Sequence, residues 1–584
     1  MLTGRLYTRG IYYERKGSAG MTFMEYEYKR PQIGEVKELF SSAMERFKKA
    51  KNADEQIEAV QDINQMRNSV GTMFNIAHIR HSINTHDEFY KVENDYLDEF
   101  APEMEEVTSL FYEELVRSPF RKELEAKWGP QLFKLAEAQL KTFSPTVIPL
   151  LQKENKLSSE YSQLIASAKI EFEGEERTLA QLQPFMESPN RELRKSASDA
   201  YYQFLASNEA KLDQIFDELV KVRHEIATKL GYKNFVELGY YRMARTDYNA
   251  EMVAKFRKQV EEVIVPLVSR LKKRQQERIG VETLKFFDEN FEFKTGNATP
   301  KGNAHWIIEN GKKMYSELSA ETKEFFDFMV DNELMDLVAK KGKESGGYCT
   351  FIEDYKAPYI FSNFNGTSGD IDVLTHEAGH AFQVYRSRLQ DIPEYYWPTY
   401  EACEIHSMSM EFLTWPWMEL FFKEDTDKYK FSHLSSALVF LPYGVAVDEF
   451  QHFVYENPEA TPDERKQAWR QIEKKYLPHR DYDGNPFLEK GGFWQRQAHI
   501  YNSPFYYIDY TLAQICAFQF WKRAIEGDRT AWDDYLHLCD LGGSRSFLGL
   551  VEAANLKSPF EDGTVQEVVA TIDTWLATVD DKAL

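Results

Sequence analysis

The chain has 584 residues, of which 43% are apolar, and 94 Asp and Glu outnumber 71 Lys and Arg for a formal net charge of −23. This acidic surplus excludes nucleic acid as an expected partner, since binding a phosphate backbone requires concentrated positive charge. No run of about eighteen apolar residues offers a membrane span, and a chain this long exceeds what one hydrophobic core supports, so several subdomains are expected.

From the N-terminus, residues 1–20 lack the apolar segment of a secretory signal. Their Arg, Gly and Ser content ahead of a second methionine, Met21, reads as a vector-derived leader. Residues 21–194 are read as an N-terminal helical domain. Ile57, Val60, Ile63, Met66, Val70, Met73 and Ile76 mark one long amphipathic helix, and a second runs from Tyr90 to Arg117. His78, His81 and His86 have no acidic ligand placed with them and are expected to be solvated or capping. Prolines at 145 and 149 mark a break, and Glu171 to Glu176 reads as a short hairpin around Gly174. Residues 195–584 are read as a second, larger domain, with a Gly/Asn/Thr/Pro-rich connection at Thr295 to Asn303. Strand signals gather at Tyr348 to Ile352 and Tyr359 to Phe364. The four cysteines, Cys349, Cys403, Cys516 and Cys539, are too scattered for a disulfide framework and point to the cytoplasm.

His376-Glu377-Ala378-Gly379-His380 comes next. On a helix, residues four apart lie on one face, so two imidazoles can meet one ion with a carboxylate beside them to take a proton from the attacking water. Ile371, Leu374, Ala378, Ala381, Phe382 and Tyr385 supply a buried helical face, and Asp370 is a suitable N-cap. A catalytic zinc needs a third protein ligand and an open position. Glu394 lies in the connecting loop; Thr399 to Trp415 reads as a second helix, on which Glu404 and Glu411 share a face. Spacing alone leaves both Glu401 and Glu404 open as the third ligand.

The H-E-x-G-H motif, followed 24 residues after His380 by Glu404-Ile405-His406-Ser407-Met408-Ser409-Met410-Glu411, resembles the thimet oligopeptidase and oligoendopeptidase F family of zinc metallopeptidases, most closely the oligoendopeptidase F branch. The resemblance implies one Zn²⁺ per chain, with His376, His380 and Glu404 as ligands and Glu377 as general base. Glu411 and Glu401 become candidates to support the ligands from behind, because a ligating imidazole usually donates its other N–H to a carboxylate. His406 departs from the family's small residue and is expected to pack. Gly491-Gly492 followed by His499, Tyr501, Pro504, Tyr506, Tyr507 and Tyr510 resembles the family's substrate loop. His499, Tyr507 and Tyr510 would orient the peptide and stabilise the oxyanion, and Tyr501 would touch substrate. The strand ending at Asn363 and Phe364 would pair with the substrate backbone. The fold implied is mainly α, two helical lobes around a deep substrate channel with a small β-sheet beside the metal helix. The activity implied is hydrolysis of internal bonds in flexible oligopeptides, collagen-derived peptides included. A peptidyl-dipeptidase of the angiotensin-converting type shares the ligand spacing; an inactive peptide-binding protein would not need Glu377.

Overall fold

Helices carry most of the chain in the computed structural model, which describes residues 20–584; the leader expected over residues 1–20 lies outside the described residues except for Gly20. The long amphipathic helix predicted in the N-terminal part spans Ala53–Ile83, begun by Asn52, whose side chain accepts the Glu55 N–H at 2.9 Å. It serves two separate cores. Val60 and Ile63 join Val36, Phe40, Phe111 and Phe133 in the smaller one, whereas Ile76 and Ile79, farther along, belong to a larger one that extends from the N-terminal segment to Leu576. The mainly α architecture is as expected, and among the described residues no helix is long and apolar enough to cross a membrane.

Among the described residues two small sheets interrupt the helices. The hairpin around Gly174 forms from β1 (Ile170–Phe172) and β2 (Glu175–Arg177), with Glu173 and Gly174 both at positive φ, 51° and 76°, as a tight two-residue turn demands. The second sheet comprises β3 (Met335–Val338), β4 (Tyr348–Ile352) and β5 (Ala357–Phe364), in the order β3-β5-β4. This order corrects the role expected of Asn363 and Phe364. Their strand is central, parallel to β3 and antiparallel to β4, which pairs with it from Ala357 to Phe361, so it is not an edge of the sheet. The Asn363 amide is spent locally, donating to the Glu344 and Gly346 carbonyls at 2.8 Å each, and Phe364 is buried, its carbonyl accepting the Ala339 N–H at 3.1 Å. The edges of the sheet are β3 and β4.

The metal helix spans Gly369–Ser387. It starts one residue before the expected cap: Ser368 is the N-cap, and Asp370 instead reaches back to accept the N–H groups of Asn365 and Gly366 at 2.9 Å each. Ile371, Leu374, Ala378, Ala381 and Phe382 are fully buried. The glycine of the motif has a packing reason. A Cβ at Gly379 would stand 2.6 Å from Ser407 Cα and 2.7 Å from the His406 carbonyl oxygen, so only glycine lets this helix cross Tyr400–Leu413 so closely. At Gly444 the helix Thr426–Glu456 likewise approaches Ile508–Ile525, where a Cβ would meet Thr511 Cγ2 at 2.3 Å.

Candidate metal centre

The close crossing at Gly379 delivers Glu404 to the two imidazoles. Glu404 Oε2 lies 3.1 Å from His376 Nε2 and 3.4 Å from His380 Nε2, and all three ligand atoms fall within 4.8 Å of one another. Ligands bonded to one tetrahedral Zn²⁺ at roughly 2.0–2.1 Å stand roughly 3.3 Å apart. The donor set therefore fits a zinc ion in chemistry and spacing. Glu404 is 1% exposed; burial pushes its carboxyl up, but the facing imidazoles win and hold it well below the usual carboxylate range.

Two of the three candidate ligands, His376 and Glu404, are held from behind, whereas His380 Nδ1 is buried without a hydrogen-bond partner. His376 Nδ1 donates to Glu411 Oε1 at 2.7 Å, which leaves Nε2 free to bind metal. The other oxygen of Glu411 accepts from His433 Nε2 at 2.8 Å, and His433 Nδ1 accepts the Trp415 indole N–H at 2.8 Å. On Glu404, Oε2 accepts the Ser407 hydroxyl at 2.9 Å and Oε1 accepts the Tyr506 hydroxyl. Neither His433 nor Tyr506 has a role in the sequence reading. His433 enters from a separate helix, Thr426–Glu456, with no motif to announce it. Tyr506 sits in the expected tyrosine segment, but its partner is visible only once the segment is folded.

Glu377 lies beside the ligands with Oε2 buried and without a hydrogen-bond partner. Burial pushes its carboxyl up, opposed by His376 and His380. The sheet edge makes room for it: at Gly347, just before β4, a Cβ would stand 3.3 Å from Glu377 Oε1 and 3.0 Å from Val373 Cγ1. Outward from there the β4 edge runs to Phe351, whose carbonyl is taken by the Asn75 side chain at 2.9 Å.

The segment after Gly492 reaches the site through a strained turn. Phe505 has φ 66°, its N–H donates to Gln451 Oε1 at 2.7 Å, and its carbonyl accepts from Arg245 at 2.5 Å. Gly239 lies under its ring, where a Cβ would meet Phe505 Cδ2 at 2.6 Å. Held so, the chain turns Tyr506 onto Glu404, and Tyr510 packs beside it with ring centroids 5.0 Å apart. His499 Nε2 is 2.9 Å from the Tyr510 hydroxyl, and the Tyr507 ring lies 5.1 Å from His499 and 5.3 Å from Tyr510.

Three residues fall elsewhere than expected or as packing. Tyr501 is fully buried, stacked at 3.8 Å on Tyr161, with its hydroxyl donating to the Leu212 carbonyl at 3.2 Å. It belongs to the core and not to a substrate surface, because the short helix Ala498–Asn502 turns its ring away from the ligands. Glu401 does not support the ligands: it accepts the Thr399 hydroxyl at 2.6 Å and sits among Arg245, Asp247 and Asp509. His406 packs as expected, donating from Nδ1 to the Ala402 carbonyl at 2.7 Å.

The sequence matches the model of the peptidase M3 N-terminal domain over residues 23–143 and that of peptidase family M3 over residues 184–569. The chain is 23% identical to oligopeptidase PepF of Bacillus subtilis over 563 residues, 89% of this chain and 80% of that one. Among solved structures it is similar to Pz peptidase A with an inhibitor, at 68% identity and a TM-score of 0.96, covering 96% of this chain and all of that one. A structure described as an oligoendopeptidase F from Bacillus anthracis gives 64% identity and a TM-score of 0.92 over 97% of this chain and 99% of the other.

Proposed function

The chain belongs to peptidase family M3, and from that premise we propose that it is a zinc-dependent oligoendopeptidase, with residues 195–584 as its catalytic domain and 21–194 as an N-terminal helical domain. The observation that carries the reading is the convergence of His376 Nε2, His380 Nε2 and Glu404 Oε2, with the unpartnered Glu377 carboxylate alongside. Zinc, when bound there, supplies a Lewis acid and lowers the pKa of water. Glu377 takes the proton of the attacking water and returns it to the leaving amine, a task suited to a carboxylate whose affinity for protons is raised by burial. Glu411 keeps His376 in the tautomer that offers Nε2. Tyr510, Tyr507 and His499 orient the peptide, and the Tyr510 hydroxyl, next to Tyr506, donates to the oxyanion.

The substrate backbone pairs with β4, the edge that Gly347 brings next to Glu377, at Gly347 to Thr350, before Asn75 closes the edge at Phe351. Main-chain pairing holds a peptide with little regard for sequence. Substrates are therefore flexible oligopeptides, collagen-derived ones among them, admitted to a channel between the two cores. Four free cysteines suit a reducing compartment such as the cytoplasm. Mass spectrometry of products from a mixed peptide library tests the proposal. Internal cuts abolished by a chelator are expected; stepwise loss of C-terminal dipeptides, or cleavage indifferent to the chelator, would contradict it.

A further inference from the structure

A line of hydrogen bonds leads into the site from behind the tyrosine segment. Tyr443, on the helix Thr426–Glu456, donates its hydroxyl to Gln497 Oε1 at 2.8 Å. In the same orientation the amide Nε2 points at His499 Nδ1, 2.9 Å away. An amide nitrogen can only donate, so Nδ1 must accept, and the neutral imidazole carries its proton on Nε2. Nε2–H then donates to the Tyr510 oxygen at 2.9 Å. The Tyr510 proton is thereby turned away from His499. Its neighbour Tyr506 has committed its one proton to Glu404, so it can accept from Tyr510 but not donate to it; a developing oxyanion, being charged, is the stronger acceptor and draws the Tyr510 proton to itself. Every donor in the series points the same way, an arrangement in which each bond polarises the next.

We propose that Gln497, braced by Tyr443, is a positioning residue that fixes the Nε2–H tautomer of His499 and so presents the Tyr510 O–H to the developing oxygen of the substrate. The inference rests on the peptidase reading above. Burial keeps the imidazole neutral at working pH, pushing its pKa down to about 4. The groups facing His499 are Glu404, whose charge opposes that fall, and the phenols of Tyr506, Tyr507 and Tyr510, all pushed up by burial, with Arg496 beyond Tyr507.

Gln497→Glu separates this role from simple packing. A carboxylate must accept, so neutral His499 flips to Nδ1–H, Nε2 draws in the Tyr510 proton, and the site loses its donor. Only as the imidazolium, which donates from both nitrogens, would the variant again point Tyr510 outward. In the zinc-loaded chain, kcat of the variant relative to wild type should fall as pH rises from 5.5 to 9. It should level off about a hundredfold down, the scale of a lost oxyanion donor, with KM and zinc content unchanged. Gln497→Met, which removes the donor without adding charge, should show a pH-independent loss of about tenfold at unchanged KM. Ring ¹⁵N shifts of His499 in the metal-free chain, assigned by loss of signal in His499→Phe, should show protonated Nε2 in wild type and protonated Nδ1 in Gln497→Glu at high pH. A wild-type rate in either variant, a flat pH ratio for Gln497→Glu, or an Nδ1–H tautomer in the unaltered chain would overturn the inference. An unaltered chain that cleaves no peptide would instead refute the peptidase reading.

Discussion

At the scale of the residue, the chemistry depends on which oxygen or nitrogen each group has left to offer. Glu377 ligates nothing in the proposed scheme and its removal tests one role only. Glu377→Gln is expected to keep one zinc per chain by elemental analysis while peptide turnover falls about 10²–10⁴-fold. Tyr506 and Tyr501 make an opposite pair. Because the Tyr506 hydroxyl bonds to Glu404, Tyr506→Phe should weaken zinc binding about 10–100-fold in a chelator competition. Tyr501→Phe, which removes a buried hydroxyl bonded to Leu212, should leave zinc affinity and KM unchanged and cost about 1 kcal/mol of stability. The two imidazoles and Glu377 are legible in sequence because i, i+4 spacing on a helix brings them to one face. Tyr501 and Tyr506 are not distinguishable there. Four residues lie between them, across the end of a short helix and a turn at positive φ, and neither period 3.6 nor period 2 carries through such a turn.

At the scale of the element, the site is a matter of helix crossing. The metal helix and Tyr400–Leu413 meet at Gly379, and Thr426–Glu456 adds His433 behind Glu411. Sequence periodicity finds these helices, yet it is silent about which of them touch, so Glu401 and Glu404 stay equivalent until the crossing turns one toward the imidazoles and the other toward Arg245. For the same reason the strand signals locate β4 and β5 without their order, and the central strand is mistaken for the edge. Glu411→Gln should weaken zinc binding about 10–100-fold, since an amide can present its NH₂ to one of the two histidines that now donate to this carboxylate. The contact between Ala53–Ile83 and the sheet is also testable. Glu353, just after β4, lies over Gly71, where a Cβ would be 2.6 Å from Oε1, and accepts from Asn75 at 3.3 Å and 3.4 Å. Burial pushes its carboxyl up to about 8. A folded-state pKa above the unfolded value of 4.5 means the folded chain holds the proton longer, so this group favours folding at low pH. Its contribution declines as pH rises from about 4.5 to about 8. Glu353→Gln should therefore match wild type in Tm near pH 5 and exceed it by pH 8.5, by the equivalent of about 2–4 kcal/mol.

At the scale of the molecule, two cores joined by one helix frame the chemistry. The Ala53–Ile83 helix contributes Val60 and Ile63 to one and Ile76 and Ile79 to the other. The connection that follows the metal helix returns to the smaller core through Ile392 and Tyr395, where Glu394 pairs with Arg67 at 2.7 Å. Composition and length announce more than one core, but the division of a single helix between them is legible only in the folded chain. If peptides reach Glu377 through the space between these cores, unfolded oligopeptides should be cut and a folded protein carrying the same scissile sequence on its surface should resist. The measurement closest to the central claim is an anomalous difference map of crystals of the full chain, recorded on both sides of the zinc absorption edge. One peak per chain within about 2.0–2.2 Å of His376 Nε2, His380 Nε2 and Glu404 Oε2 is predicted. A map with no peak there, or with Glu404 turned away while another residue takes its place, would contradict it.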